Sequence, residues 1–232
     1  MSAPFVVGAL QKFELARLLL QRELAQAETG ATEATLLDIG CRGCGLEPFV
    51  RDLVAYEGAD LFQNSENTVA HLLDLEKPLP FAEGHFDFVT ALDVLEHVDH
   101  LDEAVSELVR VARRGVLIML PNSACIYTRL KFLTTGFISA KYSLSYPSPR
   151  DRHRWFPTQV DADRYFDEFG AAHGADVDRV YYMDGPRKTR VSKVLRAFGA
   201  PPQWWTWATV HIIRPGARPE SAGHDGATSS AP

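Results

Sequence analysis

Residues 35–45 read TLLDIGCRGCG, an apolar run that enters a loop with three glycines and two cysteines. The run TLLDIG has the composition of a buried strand, and LEPFVRDLV after the loop predicts a short helix. Pro48 is compatible with the first turn of that helix, where no backbone N–H is needed. A buried strand that passes through a glycine-rich loop into a helix is typical of an α/β fold.

Strands and helices continue to alternate along the chain. Six further strands are predicted in AYEGADLF, TVAHLLDL, FDFVTAL, GVLIML, DVDRVYYM and QWWTWATVHIIR. Helices are predicted in DEAVSELVRVARR, TQVDADRYFDEFGAAHG and RKTRVSKVLRAFG. Thr158 and Asp161 resemble a capping box at the start of the second of these helices. The pattern predicts an α/β protein with a doubly wound, mostly parallel, seven-stranded sheet.

We expect residues 1–214 to form a single domain. Apolar side chains at rough helical spacing predict an N-terminal helix over residues 1–28. Residues 122–157 interrupt the rhythm of strands and helices, and we expect them to form an insertion that covers a substrate pocket rather than to dock on a lipid surface. Residues 215–232 are rich in Gly, Ala, Ser and Pro, which predicts a disordered tail.

Composition narrows the class of protein. The chain has 232 residues and a formal net charge of -6, and this charge argues against a dedicated nucleic-acid binder. It has three cysteines, which are too few for a disulfide framework and fit a reducing cytoplasm. No apolar run approaches the ~20 residues of a membrane span, so stable membrane insertion is not expected. The composition does not predict the oligomeric state.

The glycine-rich loop is placed to bind a ligand. In an open parallel sheet, ligands bind at the carboxyl ends of the strands, and glycine lets the backbone approach them closely. Asp60 closes the second strand, 22 residues after Asp38, a spacing that fits the acid that binds a ribose. The sequence contains neither GxGxxG nor GxxxxGK[ST]. These features favour a cofactor that contains a nucleoside without phosphates.

Four stretches, LLDIGCRGCG, YEGADL, LLDLEKPLPFAEGHFDFVTALDVLEHV and GVLIMLPN, occur in this order over residues 34–122. In this combination the chain resembles a class I S-adenosylmethionine-dependent methyltransferase, especially the small-molecule branch of that superfamily. The resemblance implies a Rossmann-like methyltransferase fold with three α/β/α layers. It also implies S-adenosylmethionine as the cofactor.

The resemblance assigns roles by position. Asp38 and Gly40 match the acid and first glycine of the family's glycine loop, and Asp60 matches the acid that holds the ribose hydroxyls. Asp74 and Leu75 match positions beside the adenine ring. Leu92 and Asp93 match positions at the methionine end. The expected cofactor-binding residues are Asp38, Gly40, Cys41, Gly43, Asp60, Asp74, Leu75, Leu92 and Asp93.

The loop departs from the family pattern at Arg42. Without a gap, Arg42 stands at the family's second glycine and Cys44 at its third; a one-residue bulge would place Gly43 and Gly45 there instead. An arginine inside the site would repel a sulfonium, although it could also bind the methionine carboxylate or point outward. The two cysteines could be a redox or zinc pair, but zinc requires further ligands, so we interpret them as small loop residues and expect no metal.

Methyl transfer to a hydroxyl requires removal of a proton, and histidine is the usual base near neutral pH. The candidates for this base are His97 in DVLEHV and His153 in PRDRHRWF. His97 could instead have a structural or substrate-lining role. Glu96 is expected to be a solvent-facing or helix-end charge. Arginines around His153 could bind an anionic acceptor or form a surface salt-bridge loop. The expected substrate-binding residues are Tyr142, Arg152, Arg154 and Trp155.

The leading hypothesis is methyl transfer from S-adenosylmethionine to a small-molecule acceptor, with a hydroxyl as the acceptor group. Transfer to a nitrogen, a carbon, a sugar or a lipid-linked acceptor remains an alternative. The stretch ALDV stands where nucleic-acid amino-methyltransferases carry a DPPY-like motif, which lowers the case for a nucleic-acid substrate. A second class of hypothesis, motivated by Arg42, is a catalytically weak module that only binds the cofactor or regulates a partner.

Overall fold

The computed structural model describes residues 5–8, 10–26, 33–144, 146–147 and 151–216. The strands are β1 (Phe5–Gly8), β2 (Thr35–Ile39), β3 (Ala55–Asp60), β4 (His71–Leu72), β5 (Phe86–Leu92), β6 (Ala112–Pro121), β7 (Asp176–Met183) and β8 (Ala208–Arg214). The helices are α1 (Lys12–Gln26), α2 (Glu47–Val50), α3 (Leu101–Val111), α4 (Ile126–Thr135), α5 (Gln159–His173), α6 (Gly185–Ala197) and α7 (Pro202–Trp205). A short 3-10 helix, Leu95–His97, follows β5.

The strands form one sheet in the order β1-β7-β8-β6-β5-β2-β3-β4. β8 is antiparallel to β6 and β7, and the other neighbouring pairs are parallel. The direction of winding reverses between β2 and β5, where Asp38 pairs with Thr90. In such a sheet the carboxyl ends of the strands open a crevice at this point. The predicted doubly wound, mostly parallel sheet is confirmed, with one strand more than the seven expected.

The additional strand lies near the N-terminus, where the sequence predicted a helix. Phe5–Gly8 pair in parallel with residues 180–183 of β7, and α1 spans only Lys12–Gln26. The prediction of a helix over residues 1–28 is therefore wrong for this strand. A segment of four residues is too short for its apolar pattern to distinguish a strand from a helix. It becomes a strand because it can pair with the open edge of β7.

Two other elements differ from their predicted extent. Pro202–Trp205 form α7, and β8 begins only at Ala208, because a proline at the start of a segment favours a helical first turn over a central strand. The ring of Trp205 packs edge-on against Tyr181, with centroids 5.9 Å apart. The strand predicted in TVAHLLDL is reduced to His71–Leu72 at the edge of the sheet.

Both faces of the sheet are covered by helices, which gives the three layers. All seven residues of β5 are buried, as its apolar composition predicts. On one face β5 packs with the helix-spaced Val105 and Leu108 of α3 and with Phe166 of α5. On the other face the sheet packs against residues of α1 that include Leu15 and Leu19. Burial of each such side chain contributes about 1.5–3 kcal/mol.

The segment between β6 and α5 returns the chain to the carboxyl end of β5. It contains α4, whose residues are all at least partly exposed and which ends at Gly136 with φ 65°. The segment is anchored at its end by the N–H of Ser123, which donates to the carbonyl of Pro157 (2.9 Å). The hydroxyl of Thr158 then caps α5 by accepting from the N–H of Asp161 (3.2 Å), as its sequence predicts.

In the part of the chain that the structure describes, no helix has the length and apolar character to cross a bilayer. Of the tail that the sequence predicts to be disordered, residues 217–232 lie outside the described residues.

Candidate active site

A cavity of about 1370 Å³ lies at the carboxyl ends of the central strands. Its walls come from the loops after β2, β3, β4 and β5 and from residues 151–154 of the inserted segment. The sequence-predicted residues on its walls are Gly40, Gly43, Asp60, Asp74, Leu75, Asp93, His97, Arg152, His153 and Arg154. The topology therefore brings together side chains that are widely separated in the sequence.

The backbone of the loop after β2 explains how Arg42 is accommodated. Gly40 has φ 72°, and a Cβ there would lie 2.4 Å from Cγ2 of Val94, so only glycine fits. Arg42 and Cys44 also lie in the left-handed region, with φ 50° and 51°. This agrees with the ungapped alignment, in which these two residues occupy glycine positions. Each of them costs about 1–2 kcal/mol relative to glycine in this conformation.

The side chain of Arg42 reaches across the cavity mouth to the inserted segment. Its Nη2 lies 2.7 Å from Oδ2 of Asp151, and Nζ of Lys141 lies 3.2 Å from the same oxygen. Burial raises the pKa of Asp151, but hydrogen bonds from Arg42 and Lys141 outweigh burial and hold this pKa below its usual range. The arginine is therefore neutralised by a carboxylate at the rim.

Asp60 ends β3 and faces the cavity. Its Oδ2 accepts the N–H of Arg42 (2.8 Å), and its Oδ1 accepts the N–H of Phe62 (3.3 Å). A carboxylate has about four acceptor positions, so Asp60 can accept further hydrogen bonds from a ligand. Further along the wall, Asp74 pairs with Lys77 at 3.0 Å and is followed by Leu75.

Three residues expected to bind the cofactor do not lie on the wall of this cavity. Asp38 is buried, and its oxygens accept from Thr90 Oγ1 (2.7 Å) and from the hydroxyl of Tyr56 (2.8 Å). Burial raises its pKa to about 6. The other two residues, Cys41 and Leu92, are buried in apolar clusters. The side chain of Asp38 therefore links β3 and β5, the two strands that flank β2.

The cysteines pack beneath the loop. Sγ of Cys44 lies 3.4 Å from Sγ of Cys41, and both thiols are free. A Cβ on Gly58 of β3 would lie 2.9 Å from each sulfur, which shows how closely the loop is packed on that strand. Burial raises the pKa of the Cys41 thiol, which disfavours the reactive thiolate.

The two candidate histidines lie together although they are far apart in the sequence. The rings of His97 and His153 are edge-on, with centroids 4.6 Å apart. Nδ1 of His97 lies 3.0 Å from the carbonyl oxygen of Arg152 and 3.1 Å from Oδ1 of Asp151. Nδ1 of His153 lies 2.6 Å from the hydroxyl of Tyr142. Burial lowers the pKa of both rings, that of His153 to about 4.

Glu96 was expected to be a solvent-facing or helix-end charge, and the structure corrects this. The residue is 1% exposed, and Oε1 lies 3.9 Å from Nε2 of His153. Burial, with the nearby charge of Asp93, raises its pKa to about 8. Its carbonyl oxygen accepts the N–H of Arg154 (2.7 Å), so the inserted segment covers it. A burial that depends on a distant segment leaves no local sequence signal.

The remaining predicted substrate residues divide into two groups. Arg152 and Arg154 lie at the cavity, where Nε of Arg154 is 3.4 Å from Oδ1 of Asp99. Tyr142 and Trp155 instead anchor the inserted segment. Trp155 Nε1 donates to the carbonyl of Val98 (2.8 Å), and the ring of Tyr142 packs on Phe156.

A second cavity, of about 660 Å³, shares Asp93 with the first. Asp93 has φ 61° and pairs with Nζ of Lys12 at 3.0 Å. Other walls include Glu14, Asp184 and Trp207, none of which the sequence singled out as binding residues. They come from α1, from the start of α6 and from the chain before β8, and only folding makes them neighbours.

Comparison with known proteins identifies the class. The family described as "Methyltransferase domain" matches residues 10–172, which is most of the described chain. The chain therefore belongs to this family, within the class I S-adenosylmethionine-dependent methyltransferase superfamily. S-adenosylmethionine is the cofactor of this superfamily, as the sequence resemblance implied.

Individual relatives are distant. Ajmaline N-methyltransferase from Rauvolfia serpentina is 28% identical over 83 residues, which are 36% of this chain and 28% of that enzyme. A SAM-dependent methyltransferase from Archaeoglobus fulgidus superposes with a TM-score of 0.57 at 16% identity, over 88% of this chain and 94% of that chain. Magnesium protoporphyrin IX methyltransferase from Synechocystis PCC 6803, solved with bound SAH, has a TM-score of 0.51 at 15% identity, over 88% and 83%. The structural likenesses support the fold.

Proposed function

We propose that this protein transfers the methyl group of S-adenosylmethionine to a hydroxyl of a small-molecule acceptor. The observation that carries the proposal is the pair of cavities that meet at Asp93. The first cavity has carboxylates and glycines that suit the cofactor together with histidines and arginines that suit an acceptor, and the second cavity adds space beside Asp93 for the rest of the acceptor. A displacement reaction needs both molecules held in line, and two cavities that share a wall residue would place the molecules next to each other.

The residues of the first cavity suit S-adenosylmethionine. Asp60 would accept the ribose hydroxyls, and Leu75 with Asp74 would flank the adenine. A Cβ on Gly43 would meet no described atom within 4 Å, which leaves an open backbone cradle. Asp93 would lie near the methionine end. The bound cofactor supplies a methyl group that is already activated by the positive sulfur.

The acceptor hydroxyl must lose a proton as it takes the methyl group. His97 and His153 are the residues proposed to control that proton, because both line the first cavity and both are kept neutral near pH 7 by burial. The guanidinium groups of Arg152 and Arg154 would bind an anionic part of the acceptor. Arg42 is held by Asp151 and need not repel the sulfonium.

The proposal is tested first through the cofactor. S-adenosylmethionine at ~100 times its dissociation constant should stabilise the protein by about 2.7 kcal/mol, a rise in Tm of roughly 5–10 °C. The demethylated product should act likewise, with NAD as the control ligand. Asp60→Ala should weaken the affinity at least tenfold, while Asp52→Ala, at an exposed residue just after α2, should leave it unchanged. Absence of a shift with wild-type protein would refute the proposal and favour a module that does not use this cofactor.

An amine acceptor is the second candidate. The acidic side chains of Glu14, Asp93 and Asp184 around the second cavity favour a cation, and the plant relative is an N-methyltransferase by name. Transfer of labelled methyl from S-adenosylmethionine to matched panels of phenols, alcohols and amines distinguishes the two. Methylation of amines alone would replace the hydroxyl assignment.

A further inference from the structure

Glu96, His97 and His153 place three potential metal-ligating groups at the boundary of the first cavity. One ligand atom from each residue can be chosen so that all lie within 4.8 Å of one another. We propose that these three residues bind a divalent transition-metal ion, with Zn²⁺ as the ion that two imidazoles and one carboxylate suit best.

The spacing of the ligand atoms suits an ion rather than a direct contact. Oε1 of Glu96 and Nε2 of His153 are 3.9 Å apart, which is too far for a hydrogen bond. Two atoms that each lie about 2.1 Å from one zinc ion are separated by at most about 4.2 Å. A cation between them would contact both without a large movement of either side chain.

Two polar atoms of this cluster are buried without a hydrogen-bond partner among the described residues. They are Oε2 of Glu96 and Nε2 of His153. The side chains are only 1% and 8% exposed. An unpartnered buried polar atom costs about 1–3 kcal/mol, and a pair that face each other needs an explanation. A bound cation would supply the missing partner for both atoms.

The outer contacts of the histidines match those of metal ligands. Since a carbonyl can only accept, Nδ1 of His97 carries the proton that is donated to Arg152, with the carboxylate of Asp151 also near. Its Nε2 therefore presents a lone pair. His153 is oriented by its Nδ1, which is bonded to the hydroxyl of Tyr142, and that hydroxyl also contacts Ser123 at 3.2 Å. A hydroxyl can accept as well as donate, so it is compatible with a lone pair on Nε2 of His153. Metal-bound histidines are commonly oriented by a carbonyl, carboxylate or hydroxyl on their other nitrogen.

Nearby charges permit a cation. Lys141 and Arg42 face this region, but both are paired with the carboxylate of Asp151. Asp93 adds a negative charge close to Glu96, and Lys12, which is paired with Asp93, balances part of it. The sequence predicted no metal at the cysteine pair of the glycine loop, whereas these three ligands come from two segments that are distant in the sequence.

Three protein ligands leave a zinc ion with an open position, as in catalytic sites. Because both histidines line the cavity, this position would face a bound acceptor and could take an oxygen of it. This role rests on the proposed function and would take the place of direct proton removal by the two histidines, because their Nε2 atoms would hold the ion. Binding of the ion itself does not rest on the proposed function.

The test uses the full-length chain without an affinity tag, after treatment with a chelator that removes any bound metal. Isothermal titration with ZnCl₂ should give one ion per chain, and elemental analysis after gel filtration should agree. Glu96→Gln and His153→Gln should each weaken binding at least tenfold, as should His97→Gln. His85→Gln, at an exposed histidine away from the site, should bind like the wild type. Tyr142→Phe should weaken binding less than any of the three ligand variants, because it acts only through the orientation of His153.

Circular dichroism must show that each variant is folded. Of the three ligand variants, His97→Gln should disturb folding least, because the His97 side chain is the least buried of the three. No stoichiometric ion in the wild type, or equal affinity in the wild type and the Glu96→Gln and His97→Gln variants, would overturn the site. The Tm shift with S-adenosylmethionine is measured on the same metal-free samples. If S-adenosylmethionine raises the Tm but the protein does not bind zinc, only the metal site is refuted. If the protein binds zinc but S-adenosylmethionine does not raise the Tm, only the proposed function is refuted.

Discussion

Asp38→Asn is expected to change the pH dependence of stability. The carboxyl is buried between Tyr56 of β3 and Thr90 of β5, and burial raises its pKa from 3.8 to about 6 in the folded protein. Hydrogen bonds from Thr90 and Tyr56 and the charge of Lys12 oppose this rise, while Asp60 adds to it. The folded state therefore holds a proton that the unfolded state releases between these two pH values.

The sign follows from which state binds the proton. Below about pH 4 both states are protonated, and the favourable contribution of Asp38 is complete. As pH rises through about 6 the folded carboxyl also ionises, in a buried site, and that contribution is lost. A difference of about two pKa units corresponds to about 3 kcal/mol, or a shift in Tm of roughly 6–12 °C for a domain of this size.

The assay compares thermal unfolding of the wild type and Asp38→Asn from pH 4 to pH 8. Asparagine has nearly the same shape and cannot ionise, and its oxygen can still accept the hydrogen bond of Thr90. The Tm of the wild type should fall relative to that of the variant as pH rises from 4 to 7. Asp52→Asn is the control without a slope over most of this range, because Arg17 holds the pKa of exposed Asp52 below its usual value and its titration therefore falls below about pH 4. A constant difference between the wild type and Asp38→Asn would refute the reasoning.

Three further predictions concern the same loop. Gly40→Ala should lower stability by at least about 1–2 kcal/mol and weaken S-adenosylmethionine binding, because of its positive φ and its contact with Val94. Adding Val94→Ala to Gly40→Ala should recover part of the lost stability. If denaturant unfolding shows no recovery in the double variant, the contact with Val94 is not the cause. Arg42→Gly should raise the unfolding free energy by up to about 1 kcal/mol, since glycine relieves the left-handed backbone and the exposed ion pair adds little; a loss of more than about 1 kcal/mol would contradict this. The Cys41→Ser, Cys44→Ser double variant should retain methyl transfer, and complete loss in a folded variant would restore the redox alternative.

The prediction of the fold succeeded where structure depends on local pattern. The apolar run of β5 and the capped helix α5 lie where the sequence placed them, because burial on both faces and capping leave a signature within a few residues. Gly40 and Asp60 were likewise found from a loop and a spacing. Their roles toward the cofactor remain predictions, although the structure places both at the cavity.

The sequence by itself determined the alternation of strands and helices from β2 to β6, and with it the edge of the sheet at which the first cavity lies. Tertiary structure alone decided that Phe5–Gly8 is a strand, since its partner is the open edge of β7. It also decided that Glu96 is buried beside His153, because a segment far along the chain folds over it. Periodicity and caps are properties of neighbouring residues, whereas burial and pairing are properties of surfaces that meet only when the whole chain has folded.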